Sequence, residues 1–380
     1  MNLPRLRFAL LLALCAGFDP CPNVPVDDRP SDVIESELLK CPAADIAESR
    51  TEPPFYICLF NNTRRDYVSE SIRATGLWEP ELTARVVRVL RASQGAGDKP
   101  GMVVDVGAQL GWYTLIAASL GFNVVALEPL ASQRARLLAS IRLNGFEARV
   151  RVFAFAASAA PYGAQMWGST SEGGSQWLKP PTWTPEFAAS FGGHAPLAES
   201  VRTARLDDVI RAAEGEAATE AATGASAELS AAKVSASSIT LVKFDVEGHL
   251  GLALAGAALT LARSRHLLVE VTPRVEAANG CDAHAILHHL HALGFRLCLP
   301  SGAAKDVCYA GEISDLHVRV RGVRAATTKE TWVSTDLMLA HVQRGVGHAF
   351  TNAPPSQSAF VHDGQISTAP SPHSLSLLTP

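Results

Sequence analysis

The chain has 380 residues, 47% of them hydrophobic and 18% charged, with 33 basic against 37 acidic side chains and a formal net charge of −4. That apolar fraction excludes a wholly disordered chain, and the length suffices for one large domain or two average ones. The balanced charge without a long Lys/Arg run argues against nucleic acid as the partner, and no stretch reaches the roughly 18 apolar residues of a stable membrane span.

The N-terminus reads Met1-Asn2-Leu3-Pro4-Arg5-Leu6-Arg7, then Phe8 to Gly17, a short apolar run ending in small residues. Two arginines, an apolar core and a Pro-rich continuation predict a secretory signal peptide over 1–17. The rest of the chain is then lumenal or extracellular. A signal anchor, or a cytosolic or plastid location, is the alternative. Six cysteines remain, Cys21, Cys41, Cys58, Cys281, Cys298 and Cys308. An even number suits disulfides in an oxidising compartment. If all pair within the chain, at least one bridge joins the first three to the last three. No CxxC pair exists, which disfavours a zinc ribbon. Asn61-Asn62-Thr63 is an N-glycosylation sequon.

Residues 18–98 read as an N-terminal leader and helical extension. They hold a strand candidate at Phe55–Phe60 and a helix at Glu79–Ala92 with Leu82, Val86, Val89 and Leu90 at helical spacing. From 99 to 345 strands alternate with helices: strand Met102–Val106, helix Trp112–Leu120, strand Asn123–Leu127, helix Ser132–Leu143 and strand Arg149–Phe155. After two insertions come strand Ile239–Asp245, helix His249–Ala262, strand His266–Val271, helix Cys281–Leu293 and strand Phe295–Leu299. The insertions are 161–200, with Trp167, Trp177 and Trp183, and 212–238, of low complexity. Residues 346–380, rich in Ser, Pro and Ala, read as a disordered tail. This alternation predicts crossover connections and a doubly wound, mainly parallel α/β sheet.

In such a sheet, ligands bind at the carboxyl ends of the strands near the switch in strand order. Asp105-Val106-Gly107-Ala108-Gln109-Leu110-Gly111 sits where the first strand meets its helix, and Glu128 ends the second strand. Glycines 107 and 111 let backbone approach a nucleoside, and a carboxylate at 128 can accept ribose hydroxyls. The spacing is not the G-x-G-x-x-G pyrophosphate pattern, which favours a phosphate-free ligand such as S-adenosylmethionine. Asp105, Gly107, Gln109, Gly111, Glu128 and Asp245 are therefore the candidate cofactor contacts, with Asp105 equally suited to bracing the turn.

Four strings occur in order: Val104-Asp105-Val106-Gly107-Ala108-Gln109-Leu110-Gly111-Trp112-Tyr113-Thr114, Val125-Ala126-Leu127-Glu128-Pro129, Arg205-Leu206-Asp207-Asp208-Val209-Ile210 and Val242-Lys243-Phe244-Asp245-Val246-Glu247-Gly248-His249. Together they resemble the FkbM family of S-adenosylmethionine-dependent methyltransferases, over about 54–342 with both insertions allowed. Gly76-Leu77-Trp78-Glu79 also resembles family members. The resemblance implies a class I, Rossmann-like methyltransferase fold and methylation of a hydroxyl on a glycan or small molecule. Gln109 stands where the family usually has Asn, and Leu250 where an acidic residue often follows the Gly-His pair.

A hydroxyl acceptor needs something to take its proton. Asp245, Glu247 and His249 alternate at the exit of a strand, so they can face one cleft. They are the candidate catalytic residues, with His249 as the general base. Glu247 is also placed to cap the next helix, and Lys243 to pair with a carboxylate. His284, His288 and His291 read as a solvated helix face rather than a metal site. The competing functions are an NAD-dependent oxidoreductase and a secreted binding protein that keeps the fold without turnover.

Overall fold

The computed structural model describes residues 41–61, 65–94, 101–168, 172–173, 176–179, 195–223, 238–299, 307–308, 335–341, 359–362 and 365–368. The expected signal peptide, Trp183 and most of the sequon lie outside them. Among the described residues no helix is long and apolar enough to cross a membrane.

The first strands among the described residues, β1 (Ile46–Glu48) and β2 (Tyr56–Cys58), form a hairpin tied by a Cys41–Cys58 disulfide. Cys281 is also disulfide-bonded. After β3 (Arg65–Asp66), the Asp66 carboxylate accepts from Ser69 N at 2.7 Å and starts the helix Tyr67–Thr75, which Gly76 ends at φ 73°. The helix Pro80–Gln94 follows.

Next come β4 (Met102–Val106), β5 (Asn123–Leu127) and β6 (Val150–Phe153), joined by the helices Trp112–Ser119 and Ala131–Leu143. The strand expected over Arg149–Phe155 breaks after Phe153. Its continuation, β7 (Phe155–Ala157), leaves for a second sheet with β8 (Gly163–Gly168), β10 (Gln176–Leu178) and β11 (Ala195–Ala204). The described residues of the first insertion thus supply β8, β10 and the start of β11 to a four-stranded sheet of order β10-β8-β11-β7, with the short β9 (Glu172–Gly173) paired to β3.

The helix Leu206–Thr223 runs into the second insertion and leads back to β12 (Ile239–Phe244) and β13 (Ser264–Val271). The helix expected over His249–Ala262 is two helices, Leu250–Ala255 and Ala258–Arg263. Gly256 lies so close to the Ser158 carbonyl that a Cβ would come within 2.1 Å of it. The break lets Asp207 accept from Leu259 N and Thr260 N and start the second helix. Helices Pro273–Ala278 and Ala283–Ala292 precede β14 (Phe295–Leu299), β15 (Val307–Cys308) and β16 (Thr335–His341). Within the segment expected to be a disordered tail, β17 (Ala359–His362) and β18 (Gln365–Thr368) pair as a hairpin.

The main sheet has the order β15-β14-β16-β13-β12-β4-β5-β6. The five strands from β13 to β6 run parallel, and β16 is antiparallel to both β13 and β14. Alternation along β4 sends Val104 and Val106 to one core with Phe244 and Leu254, and Val103 to the other with Leu115 and Ile116. This is a doubly wound, Rossmann-like α/β sheet of class I methyltransferase order. From β4 the chain first builds outward through β5 and β6, then crosses to β12 and β13. The switch point therefore lies between the exits of β4 and β12.

Candidate functional site

Backbone contacts shape the turn after β4. Gly107 holds φ +79°, and a Cβ there would sit 1.8 Å from the Asp245 carbonyl oxygen. Gly107 N and Ala108 N both donate to Leu127 O at 3.0 Å, tying the turn to β5. Gln109 is left-handed at φ 53°. Gly111, at φ +93°, packs under Leu137 and begins the helix Trp112–Ser119.

Glu128 joins this turn from the end of β5. Its Oε2 accepts from Gln109 N and its Oε1 from Leu130 N, each at 2.8 Å. The group is 3% exposed, and burial pushes it up to about 7 against the pull of the two N–H donors. A carboxylate has about four lone-pair sites, so two engaged N–H groups leave acceptor capacity for a ligand.

Above the turn lies a cavity of about 510 Å³. Of the residues singled out in the sequence, Gly107, Gln109, Glu128, Asp245, Glu247 and His249 line it. Asp105 and Gly111 are not among its lining residues. Asp105 is 1% exposed, accepts from Thr114 Oγ1 at 2.7 Å and faces Lys243 Nζ at 3.7 Å. It braces the turn from below. Trp177 lines the cavity, with Trp167 opposite it across the β8–β10 pair. Leu250 is fully buried in the core, so that departure from the family pattern removes no group from the lining.

The exit of β12 is strongly charged. Lys243 Nζ lies 3.0 Å from Asp245 Oδ2 and 3.4 Å from Gly107 O. Burial alone would lower the Lys243 ammonium, but Asp245 and Asp105 hold it above its ordinary value. Burial alone would raise Asp245, but Lys243 holds it below. Asp245, Glu247 and Glu270, from the end of β13, bring carboxylate oxygens within 4.8 Å of one another, a spacing that fits a cation. Glu247 is left-handed at φ 51°, and Gly248 follows at φ +79°.

His249 is buried at 4% exposure, with Nε2 3.1 Å from Ser158 Oγ, which in turn meets Tyr162 Oη at 3.1 Å. Burial pushes its imidazole down to about 4, so it is neutral at pH 7. The cap of the helix after it comes from Glu276, which accepts from Leu250 N at 2.8 Å and Gly251 N at 3.1 Å. His284, His288 and His291 are exposed.

Sequence reasoning missed Glu79, Tyr113 and Glu270 as lining residues. Glu79 lies outside the alternating strands and helices, and no spacing rule connects it to β12. Its one signal was the Gly76-Leu77-Trp78-Glu79 string.

No protein-family model matches the chain, and no curated protein does. Among solved structures, an S-adenosylmethionine-dependent methyltransferase from Agrobacterium tumefaciens is similar with a TM-score of 0.34 and 11% identity, over 78% of this chain and 69% of that one. A candidate RNA methyltransferase from Pyrococcus horikoshii gives 0.26 and 11%, over 68% and 85%. A candidate O-methyltransferase from Klebsiella pneumoniae gives 0.27 and 13%, over 72% and 95%. The likenesses concern the fold, and the class I methyltransferase assignment rests on this chain's own strand order.

Proposed function

We propose that the chain is an S-adenosylmethionine-dependent methyltransferase of FkbM type that methylates a hydroxyl on a glycan or small molecule. The observation that carries this reading is the Glu128 carboxylate, fixed by two backbone N–H groups at the switch point and lining an open cavity of about 510 Å³. The donor set suits the cofactor. Glu128 would hold the ribose hydroxyls, and the Gly107 turn lets the nucleoside lie close to backbone. Lys243 is the one cation among the described lining residues, and it is committed to Asp245, so a dinucleotide pyrophosphate has no ready partner.

S-adenosylmethionine supplies an electrophilic methyl group when bound. Everything else falls to the chain. Holding the acceptor in line supplies much of the rate, and Trp177 offers a flat apolar face for a ring acceptor. The neutral His249 imidazole takes the hydroxyl proton in this reading. With its ionisation depressed to about 4 it is a weak base, so positioning outweighs proton transfer. The Cys41–Cys58 disulfide supports export to an oxidising compartment.

Calorimetric titration of the purified protein with S-adenosylmethionine and with NAD tests the reading. Binding of the first and not the second is expected, with Glu128→Ala abolishing it. Tight NAD binding without S-adenosylmethionine binding refutes it.

A further inference from the structure

The cavity is lined by five carboxylates, Glu79, Glu128, Asp245, Glu247 and Glu270, against one lysine, Lys243, among the described lining residues. Glu79 stands apart from the other four. It belongs to the connection between the helices Tyr67–Thr75 and Pro80–Gln94, outside the sheet. Its backbone is left-handed at φ 42°, a conformation that a residue with a β-carbon holds only at an energetic cost. Tyr113 Oη donates to its Oε2 at 2.6 Å, which aims the carboxylate. Tyr113 itself comes from the first turn of the helix that follows the Gly107 turn.

Lys243 does not neutralise Glu79 by contact. Its ammonium is engaged by Asp245 Oδ2, Gly107 O and Asp105 Oδ1 at 3.0, 3.4 and 3.7 Å, and Glu79 forms no ion pair within 4.0 Å among the described residues. Burial, helped by the Asp245 charge, pushes the Glu79 carboxyl up against the Tyr113 and Trp78 hydrogen bonds and the Lys243 charge. Gln109 N donates to Glu128, and Lys243 donates to Gly107 O and Asp245 Oδ2, while the Lys243 and Asp245 charges act on Glu79 through space. All of these residues line the same cavity, so a ligand whose nucleoside rests at Glu128 has Glu79 within the walls that enclose its other end.

We propose that Glu79, aimed by Tyr113, is the binding site for the α-ammonium group of the amino-acid tail of S-adenosylmethionine. The inference rests on the nucleoside lying at Glu128. An ammonium brings three N–H donors and a full positive charge, which a carboxylate lacking a cation contacts better than a sulfonium without donors. The role adds to that of the Gly107 turn, which serves the nucleoside alone.

Two probes separate tail from nucleoside. S-adenosylhomocysteine carries the amino-acid tail, and 5′-methylthioadenosine keeps the nucleoside and thioether without it. Both are titrated calorimetrically into the wild-type protein, Glu79→Gln and Glu79→Gly. The glycine variant suits the left-handed backbone and guards against a folding defect. In both variants the S-adenosylhomocysteine Kd is expected to rise on the order of ten- to a hundredfold, while 5′-methylthioadenosine stays unchanged. A parallel loss of both ligands, or no loss of S-adenosylhomocysteine, overturns the Glu79 assignment. If the wild-type protein binds neither probe, the nucleoside reading at Glu128 falls, and the inference goes with it.

Discussion

Replacing Gly107 by alanine isolates the closest backbone approach at the site. Two penalties act there. The first is conformational: φ +79° costs an L-residue roughly 1–2 kcal/mol. The second is steric, because the new Cβ would lie 1.8 Å from the Asp245 carbonyl oxygen, where ordinary contact begins at 3.4 Å. The opposing atom is main chain, so no rotamer change relieves the overlap, and the exits of β4 and β12 must part. Overpacking of that kind adds about 1–3 kcal/mol. Gly121 supplies the control. It has φ +88° and nothing within 4 Å of its built Cβ, so Gly121→Ala carries the conformational penalty alone. Urea unfolding of both variants, followed by fluorescence, measures the difference. Gly107→Ala is expected to lose about 2–5 kcal/mol, a large share of a typical domain's stability, together with S-adenosylhomocysteine binding. A Gly107→Ala protein no less stable than Gly121→Ala would refute the argument.

Three further outcomes follow from the buried groups and the disulfide. Glu128 and Glu276 are both raised by burial from 4.5 to about 7, so each favours the folded state below pH 4.5 and loses that contribution as pH climbs through 7. Unfolding free energy should fall between pH 5 and 8 by on the order of 3 kcal/mol per group, and Glu276→Gln should flatten that slope; a pH-independent wild type over this range contradicts it. His249 is depressed from 6.5 to about 4, so its contribution is full above pH 6.5 and disappears as pH drops through 4. His249→Gln should lose that acid-side decline, measured by urea midpoints at pH 4 and 7. Reducing the Cys41–Cys58 bridge, which closes a 17-residue separation, should lower stability by about 3 kcal/mol, and an unmoved urea midpoint would show the hairpin gains nothing from it.

The central strands were legible because a buried parallel strand writes an uninterrupted apolar run. Met102–Val106 and Asn123–Leu127 have the limits expected from sequence. Less was visible where structure depends on distant partners. β16 pairs with β13 and β14, both distant from it in sequence, and no local signal marks it as part of the sheet. The first insertion reads in the sequence only as an interruption of the alternation, because antiparallel pairing of β8 with β10 and β11 depends on partners that local pattern does not name. Among site residues, glycines and strand-end carboxylates carried their own signature. Asp105 did not show from sequence whether it faces ligand or core, because one residue's register along β4 decides that. Glu276 was invisible as a cap, since the helix it serves starts 26 positions earlier.

The contact of Gly107 with Asp245 divides the pocket into a part that tolerates variation and a part that does not. Its floor is main chain pressed on main chain, so a changed side chain there disturbs the sheet before it alters any preference. The walls come from elsewhere: Tyr67 from the first helix and Trp177 and Leu178 from the inserted sheet. A search for new acceptors should draw its libraries from those walls, where the packing of β4 against β12 is not at stake.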